Sequence, residues 1–291
     1  MNEIEHVLAV QSELGEGPIW VPEEKALYWL DIKNSLVFRF YPSTGRHESF
    51  EIELPITALA VRASGGFVAA TYKGFAFWDP QTHELRFIAD PEADQSDVVF
   101  NDGAVDRQGR FWAGTVNPSD PEAREGCLYR LDPDGHVHKM DSGFMEPNGM
   151  GWSPDSKTMY FTDSVDRVIW TYDYDPTAGA ISNRRPFVEL PEEEGLPDGL
   201  AVDTEGYVWS AQWDGWKLSR YDPSGKRERE VQLPVQQVTS FAFGGENLDE
   251  LYITSAWIML SDEKRKEQPW AGDLLRIRVD VRGLAEPRFA G

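Results

Sequence analysis

The chain has 291 residues, 41 % hydrophobic and 12 % aromatic, which is enough to bury the core of one large all-β domain. A formal net charge of −22 would repel phosphate backbones and anionic headgroups, so nucleic acid and membrane surfaces are excluded as partners. One cysteine, Cys127, rules out an internal disulfide framework and any CxxC motif. With an acidic N-terminus and no apolar run near the ~18 residues of a membrane span, a soluble cytoplasmic protein is expected.

Along the chain one pattern returns six times. It opens as "LGEGPIWVPEEKALYWLDI" from Leu14 and continues as "ITALAVRASGGFVAATY" from Ile56 and "NDGAVDRQGRFWAGT" from Asn101. It comes back as "PNGMGWSPDSKTMYFTD" from Pro147, "PDGLAVDTEGYVWSA" from Pro197 and "VTSFAFGGENLDELYITSA" from Val238. In each copy a short apolar run, a turn with Gly, Asp or Pro, and a second run rich in Val, Phe, Tyr and Trp predict strand, tight turn, strand. Further runs such as "VFRFYPSTGRHESF" from Val37 and "LYRLDPDGHVHKM" from Leu128 add a third and fourth strand. The basic clusters Lys226-Arg227 and Lys264-Arg265-Lys266 are flanked by glutamates and read as solvated loops.

The leading polar residues of the copies are Glu16, Thr57, Asn101, Asn148, Asp198 and Thr239, separated by 41, 44, 47, 50 and 41 positions. Four short antiparallel strands every ~45 residues fit a β-propeller blade. The fold expected is all-β, a single six-bladed β-propeller domain over residues 1–291 with four antiparallel strands per blade. The segment Glu3 to Val10 precedes the first copy and is expected to lend a strand to the last blade.

In a propeller the innermost strands line a central channel, so the six leading residues are expected to converge there. Two carboxylates, two amides and two hydroxyls form a hard-oxygen set suited to one divalent cation, Ca²⁺ first, with Mg²⁺ or Mn²⁺ as alternatives. The sequence holds no GxSxG, P-loop or HExxH motif. His6, His47, His83, His136 and His138 lie away from the leading residues and read as surface positions. The DPDG at Asp132 and DPSG at Asp222 lack the further ligands of an EF-hand and read as hairpin turns. Trp213, Trp216 and Trp257 either rim the channel or, the favoured reading, pack between blades.

Several of these motifs together carry a resemblance. "LGEGPIW" at Leu14, "FNDGAVD" at Phe100, "PNGMGWS" at Pro147, "ISNRRPFVEL" at Ile181, "LPDGLAVD" at Leu196 and "QPWAGDLLRI" at Gln268 make the chain similar to the SMP-30/gluconolactonase family, over essentially its full length. The resemblance implies one divalent metal held by Glu16, Asn148 and Asp198, with Zn²⁺ also admitted, and Asn101 approaching water or substrate. It implies a lactonase acting on a small-molecule lactone, with Asp198 as catalytic base. Two departures concern substrate. Val99 stands where many family members carry Arg, and Asn117 and Pro118 stand near the place of an acidic substrate contact, so Asn117 is taken as substrate-binding, with Asp120, Glu122 or Arg124 as other contacts from the same loop. The alternatives are a calcium-binding regulatory protein without turnover and a phosphotriesterase-like propeller hydrolase. A monomer is expected, since propeller edges are short and protected.

Overall fold

Val, Ile, Phe, Tyr and Trp runs separated by Gly, Asp and Pro turns give short strands, and the strands pair with their sequence neighbours. The computed structural model describes residues 3–291. Its twenty-four strands form six four-stranded antiparallel sheets, the blades of a six-bladed β-propeller. Blades 1 to 5 are each a run of four consecutive strands, over residues 15–51, 56–89, 99–144, 147–189 and 196–232. Blade 6 takes three strands from residues 238–278, and its outermost strand is Glu5–Leu8, antiparallel to Leu274–Arg278, as expected for the leading segment.

Two compact units share the blades. Residues up to Glu51 together with Leu190–Ala285 carry blades 1, 5 and 6. Ile52–Glu189 with Glu286–Gly291 carry blades 2, 3 and 4. In the first unit Trp209, Leu218, Phe241, Phe243, Leu251 and Ile253 join blade 5 to blade 6, and Trp20, Trp29, Phe38, Tyr252 and Leu274 join blade 6 to blade 1. In the second unit Phe75, Phe100, Phe111 and Tyr129 join blades 2 and 3. Trp112, Met150, Trp152, Phe161 and Tyr174 join blades 3 and 4.

Burial falls from the second strand of a blade to the fourth. Ala26–Asp31, Phe67–Thr71 and Phe111–Val116 are buried at every position, whereas Arg46–Glu51 and Ala180–Glu189 are mostly exposed. A strand covered on both faces reads as a continuous apolar run, and one facing water alternates or turns polar.

The repeated phrase "VDxxGxxW" has a local cause. Asp106 Oδ1 accepts from the Gln108 and Arg110 amides while its Oδ2 accepts from Trp112 Nε1 at 2.9 Å. Asp203 does the same with Glu205, Tyr207 and Trp209 Nε1, again at 2.9 Å. One buried carboxylate thus closes the hairpin turn and satisfies the indole that packs between blades. The DPDG and DPSG segments are hairpin turns, with Gly135 and Gly225 donating back to Asp132 and Asp222, and all five histidines are exposed.

Every innermost strand carries a register shift where its leading polar residue stands. The shifts fall between Glu16 and Ile19, Ile56 and Ala58, and Phe100 and Gly103. They recur between Pro147 and Met150, Pro197 and Leu200, and Val238 and Ser240. A bulge of this kind takes a residue off the ladder and re-aims its side chain. Small residues allow it: a Cβ added to Gly199 would lie 2.3 Å from Ser240 Oγ and 2.8 Å from Ser240 Cα. Gly199→Ala is therefore expected to lower stability by about 1–3 kcal/mol, read as the shift in urea midpoint at constant slope. A change under about 0.5 kcal/mol would show that the two inner strands have room to part.

Candidate functional site

The six bulges fix where each candidate stands. In the first unit Glu16 is 8 % exposed and its Oε2 accepts from the Gly17 amide at 2.9 Å, while Asp198 is 4 % exposed. In the second unit Asn148 is 7 % exposed and donates from Nδ2 to Ser164 Oγ at 3.1 Å. Asn101 donates from Nδ2 to the Pro147 carbonyl at 2.8 Å. A carbonyl only accepts, so the amide nitrogen must face it, and the side-chain oxygen is the end of Asn101 that can serve a ligand.

The structure brings Asn101 and Asn148 together, because the Asn101 amide holds the residue just before Asn148. It also brings Thr239 to Glu16: the Thr239 hydroxyl donates to the Gly15 carbonyl at 2.5 Å. Thr57 donates to the Ala70 carbonyl at 3.4 Å. Both threonines, expected among the cation donors, thus commit their protons to backbone carbonyls.

Asn117 follows Val116, the ladder partner of Val99, at the same end of blade 3 as Asn101. Its Nδ2 donates to Glu125 Oε2 at 2.8 Å and its Oδ1 accepts from the Ser119 amide at 3.1 Å. Both ends of the amide therefore shape the loop. Arg124 forms a two-pronged pair with Asp166, at 2.7 and 2.6 Å, which ties this loop to blade 4. Glu125 is the acid beside Asn117, and sequence reasoning passes over it for Asp120 and Glu122. The pairing is legible only once the turn after Asn117 is known to bring position 125 back to it.

Burial sets the electrostatics. Burial of the Asp102 side chain pushes its carboxyl pKa up to about 7, although the Gly103 amide pulls the other way. Burial also raises Asp163 and Glu146, and the Asp163 charge adds to the effect on Glu146. Among the described residues no group of three or more His, Cys, Asp or Glu side chains gathers to hold a metal. The expected donors Glu16, Asn148 and Asp198 are a mixed set of two carboxylates and an amide. All are buried oxygen ligands, which suits a hard divalent cation. Among the described residues no helix is long and apolar enough to cross a membrane. Trp216 is 38 % exposed, whereas Trp257 is partly buried, stacked under Arg265 at 3.8 Å and bonded through Nε1 to the Gln11 carbonyl. A cavity of about 500 Å³ lined by Asp90, Glu92, Gln95, Tyr129 and Lys139 lies toward the outer strands, away from the bulges.

A carboxyl with a folded pKa near 7 and an unfolded value near 3.8 binds its proton more tightly when folded, so it costs stability as pH rises from about 4 to 7. Asp102→Asn removes that cost. In metal-free protein the variant is expected to gain on wild type across this window, reaching about 2 kcal/mol once the partial exposure is discounted. Urea unfolding at a series of pH values checks it, and a constant offset from pH 4 to 8 would contradict it.

Comparison with known proteins agrees with the fold. Residues 14–257 match the SMP-30/Gluconolactonase/LRE-like region. The chain is 37 % identical to regucalcin of Xenopus laevis over 99 % of both chains. It is 40 % identical to a pentonolactonase of Haloferax volcanii, over 98 % of this chain and 97 % of that one. Among solved structures, a calcium-binding regucalcin of Agrobacterium tumefaciens superposes with a TM-score of 0.94 at 27 % identity, covering 99 % of this chain and 97 % of that one. A luciferin-regenerating enzyme superposes at 0.92 and 30 % identity over the whole of both chains. The chain belongs to the SMP-30/gluconolactonase/LRE-like family.

Proposed function

We propose that the chain is a divalent-metal-dependent lactonase that opens the ester ring of a small sugar lactone. The observation that carries this reading is the shared setting of Glu16, Asn148 and Asp198, each a buried oxygen donor in the bulge of an innermost strand. The pentonolactonase relative, 40 % identical over nearly the full chain, supports the substrate class.

Glu16, Asn148 and Asp198 would hold the cation, Ca²⁺ first, with Zn²⁺, Mn²⁺ or Mg²⁺ as alternatives. When bound, it would supply Lewis-acid polarisation of the lactone carbonyl. Asp198 takes the proton from the attacking water as the new C–O bond forms, and the proton passes to the ring oxygen as the ester bond breaks, leaving a hydroxy acid. Asn101 orients the water, or a substrate hydroxyl, through its side-chain oxygen. Asn117, with Glu125 behind it, meets ring hydroxyls. Val99 cannot donate hydrogen bonds as an arginine would, so hydroxyl recognition shifts to the 117–125 loop. The protein would work as a cytoplasmic monomer, and its single buried free thiol, Cys127, suits a reducing compartment.

Stripping the protein with chelator and adding back Ca²⁺, Mg²⁺, Mn²⁺ or Zn²⁺ in turn, with acid release followed on pentono- and hexonolactones, tests the proposal. Activity is expected to vanish on chelation and return with one ion. Asp198→Asn in the presence of saturating ion is expected to lower kcat by about 10²-fold or more. An ion that binds tightly with no hydrolysis of any lactone would favour the alternative of a calcium-binding protein, the property by which the Agrobacterium tumefaciens regucalcin is described.

A further inference from the structure

In every blade one second-strand residue lies opposite the residue that precedes the bulge or begins it. These six are Asp31, Thr71, Thr115, Asp163, Gln212 and Ser255, and all are buried and polar. Four of them bond toward the third strand of their blade. Thr71 donates to the Gly74 carbonyl, Thr115 accepts from the Cys127 amide, Gln212 donates to Tyr221 Oη, and Ser255 accepts from the Gly272 amide.

Asp31 and Asp163 reach the other way as well. Asp31, 2 % exposed, accepts from the Glu13 amide at 3.0 Å and the Leu14 amide at 3.3 Å. Asp163, fully buried, accepts from the Met145 amide at 3.1 Å and the Glu146 amide at 2.8 Å. Each therefore fastens the segment entering its own innermost strand, two residues ahead of Glu16 in one case and of Asn148 in the other. A second fastening meets it, since Thr239 holds the Gly15 carbonyl and Asn101 the Pro147 carbonyl. Asp31 also accepts from the Asn34 amide and Nδ2 in the turn that follows it, but in the bonds to the entering segment the two arrangements match in two different units.

Burying a carboxylate is costlier than burying a threonine hydroxyl, and blades 2 and 3 do with threonine at this position. Strand pairing alone therefore does not require the acid. It recurs in two of the three blades whose bulge carries a proposed cation ligand, while in the third, blade 5, Gln212 stands at this position beside the ligand Asp198, itself an acid. We propose that Asp31 and Asp163 are positioning residues that fix Glu16 and Asn148 for the divalent cation, an inference that rests on the metal-dependent reading above.

The test is calorimetric titration of Ca²⁺ and Mn²⁺ into chelator-stripped full-length protein, with thermal melting of the same samples. Asp31→Asn and Asp163→Asn keep the shape but replace one of the two accepting oxygens, each of which takes one amide, with an NH₂ donor. Each is expected to weaken the tighter-binding ion by about tenfold or more. Asp203→Asn, equally buried but closing a hairpin turn, is expected to lower the melting temperature while leaving affinity within about twofold. Should an asparagine variant fail to fold, the threonine that blades 2 and 3 carry takes its place, with the same loss of affinity expected. Unchanged affinity in folded Asp31 and Asp163 variants, an equal loss in Asp203→Asn, or failure of both the Asn and Thr forms to fold would each overturn the inference while leaving the metal-dependent reading intact. A wild-type protein that binds neither ion would instead remove that reading and this inference with it.

Discussion

The bulge in each innermost strand is the constraint on which the site depends. In a regular strand side chains alternate strictly between the two faces, and in a blade packed on both sides each face is covered by apolar neighbours. A polar residue in such a strand would be buried against Phe or Val. Taking one residue out of register frees its side chain from that alternation at the cost of a ladder hydrogen bond. All six inner strands make this exchange at the leading polar residue.

A bulge by itself is loose, because the residue it carries has lost the backbone partners that would hold it. The chain answers with side-chain acceptors and donors placed one strand away. In blades 1 and 4 a buried carboxylate takes the incoming amides and a neighbouring blade takes the carbonyl. In blades 2 and 3 the corresponding threonines serve the third strand instead. Thr, Gln or Ser at this register position supports the blade itself, whereas Asp in blades 1 and 4 reaches the segment its bulge presents.

How much of this the sequence discloses follows from how local each signal is. Strand, turn and blade repeat are written in contiguous residues, so the six sheets and the strand lent by Glu5–Leu8 to blade 6 are legible. So are the leading polar residues, because Asn-Asp-Gly, Pro-Asn-Gly and Pro-Asp-Gly recur at a steady spacing. What a side chain bonds to is less local. Thr57 and Thr239 are hydroxyls in the right places, and only the folded register shows that a backbone carbonyl claims each one. Asp31 and Asp163 close "YWLD" and "YFTD", which read as ordinary strand ends until the pairing sets them opposite Gly15 and Pro147. Glu125 escapes a sequence reading for a similar reason, since a loop separates it from Asn117 along the chain.

The buried carboxylates also divide by chemistry. Asp106 and Asp203 are surrounded by donors: turn amides, an indole and a guanidinium, that of Arg110 for Asp106 and of Arg220 for Asp203. Such a carboxylate has its charge distributed over fixed hydrogen bonds and is spent on structure. Asp102, in the bulge of blade 3, instead sets the Gly103 amide against strong burial, and its proton affinity rises accordingly. Compensated so little by fixed donors, this carboxyl keeps its proton to near pH 7 and carries its full charge only above that. Hairpin turns therefore hold acids whose charge is already answered, whereas a bulge can hold one whose charge is not, and a cation gains most from the second kind.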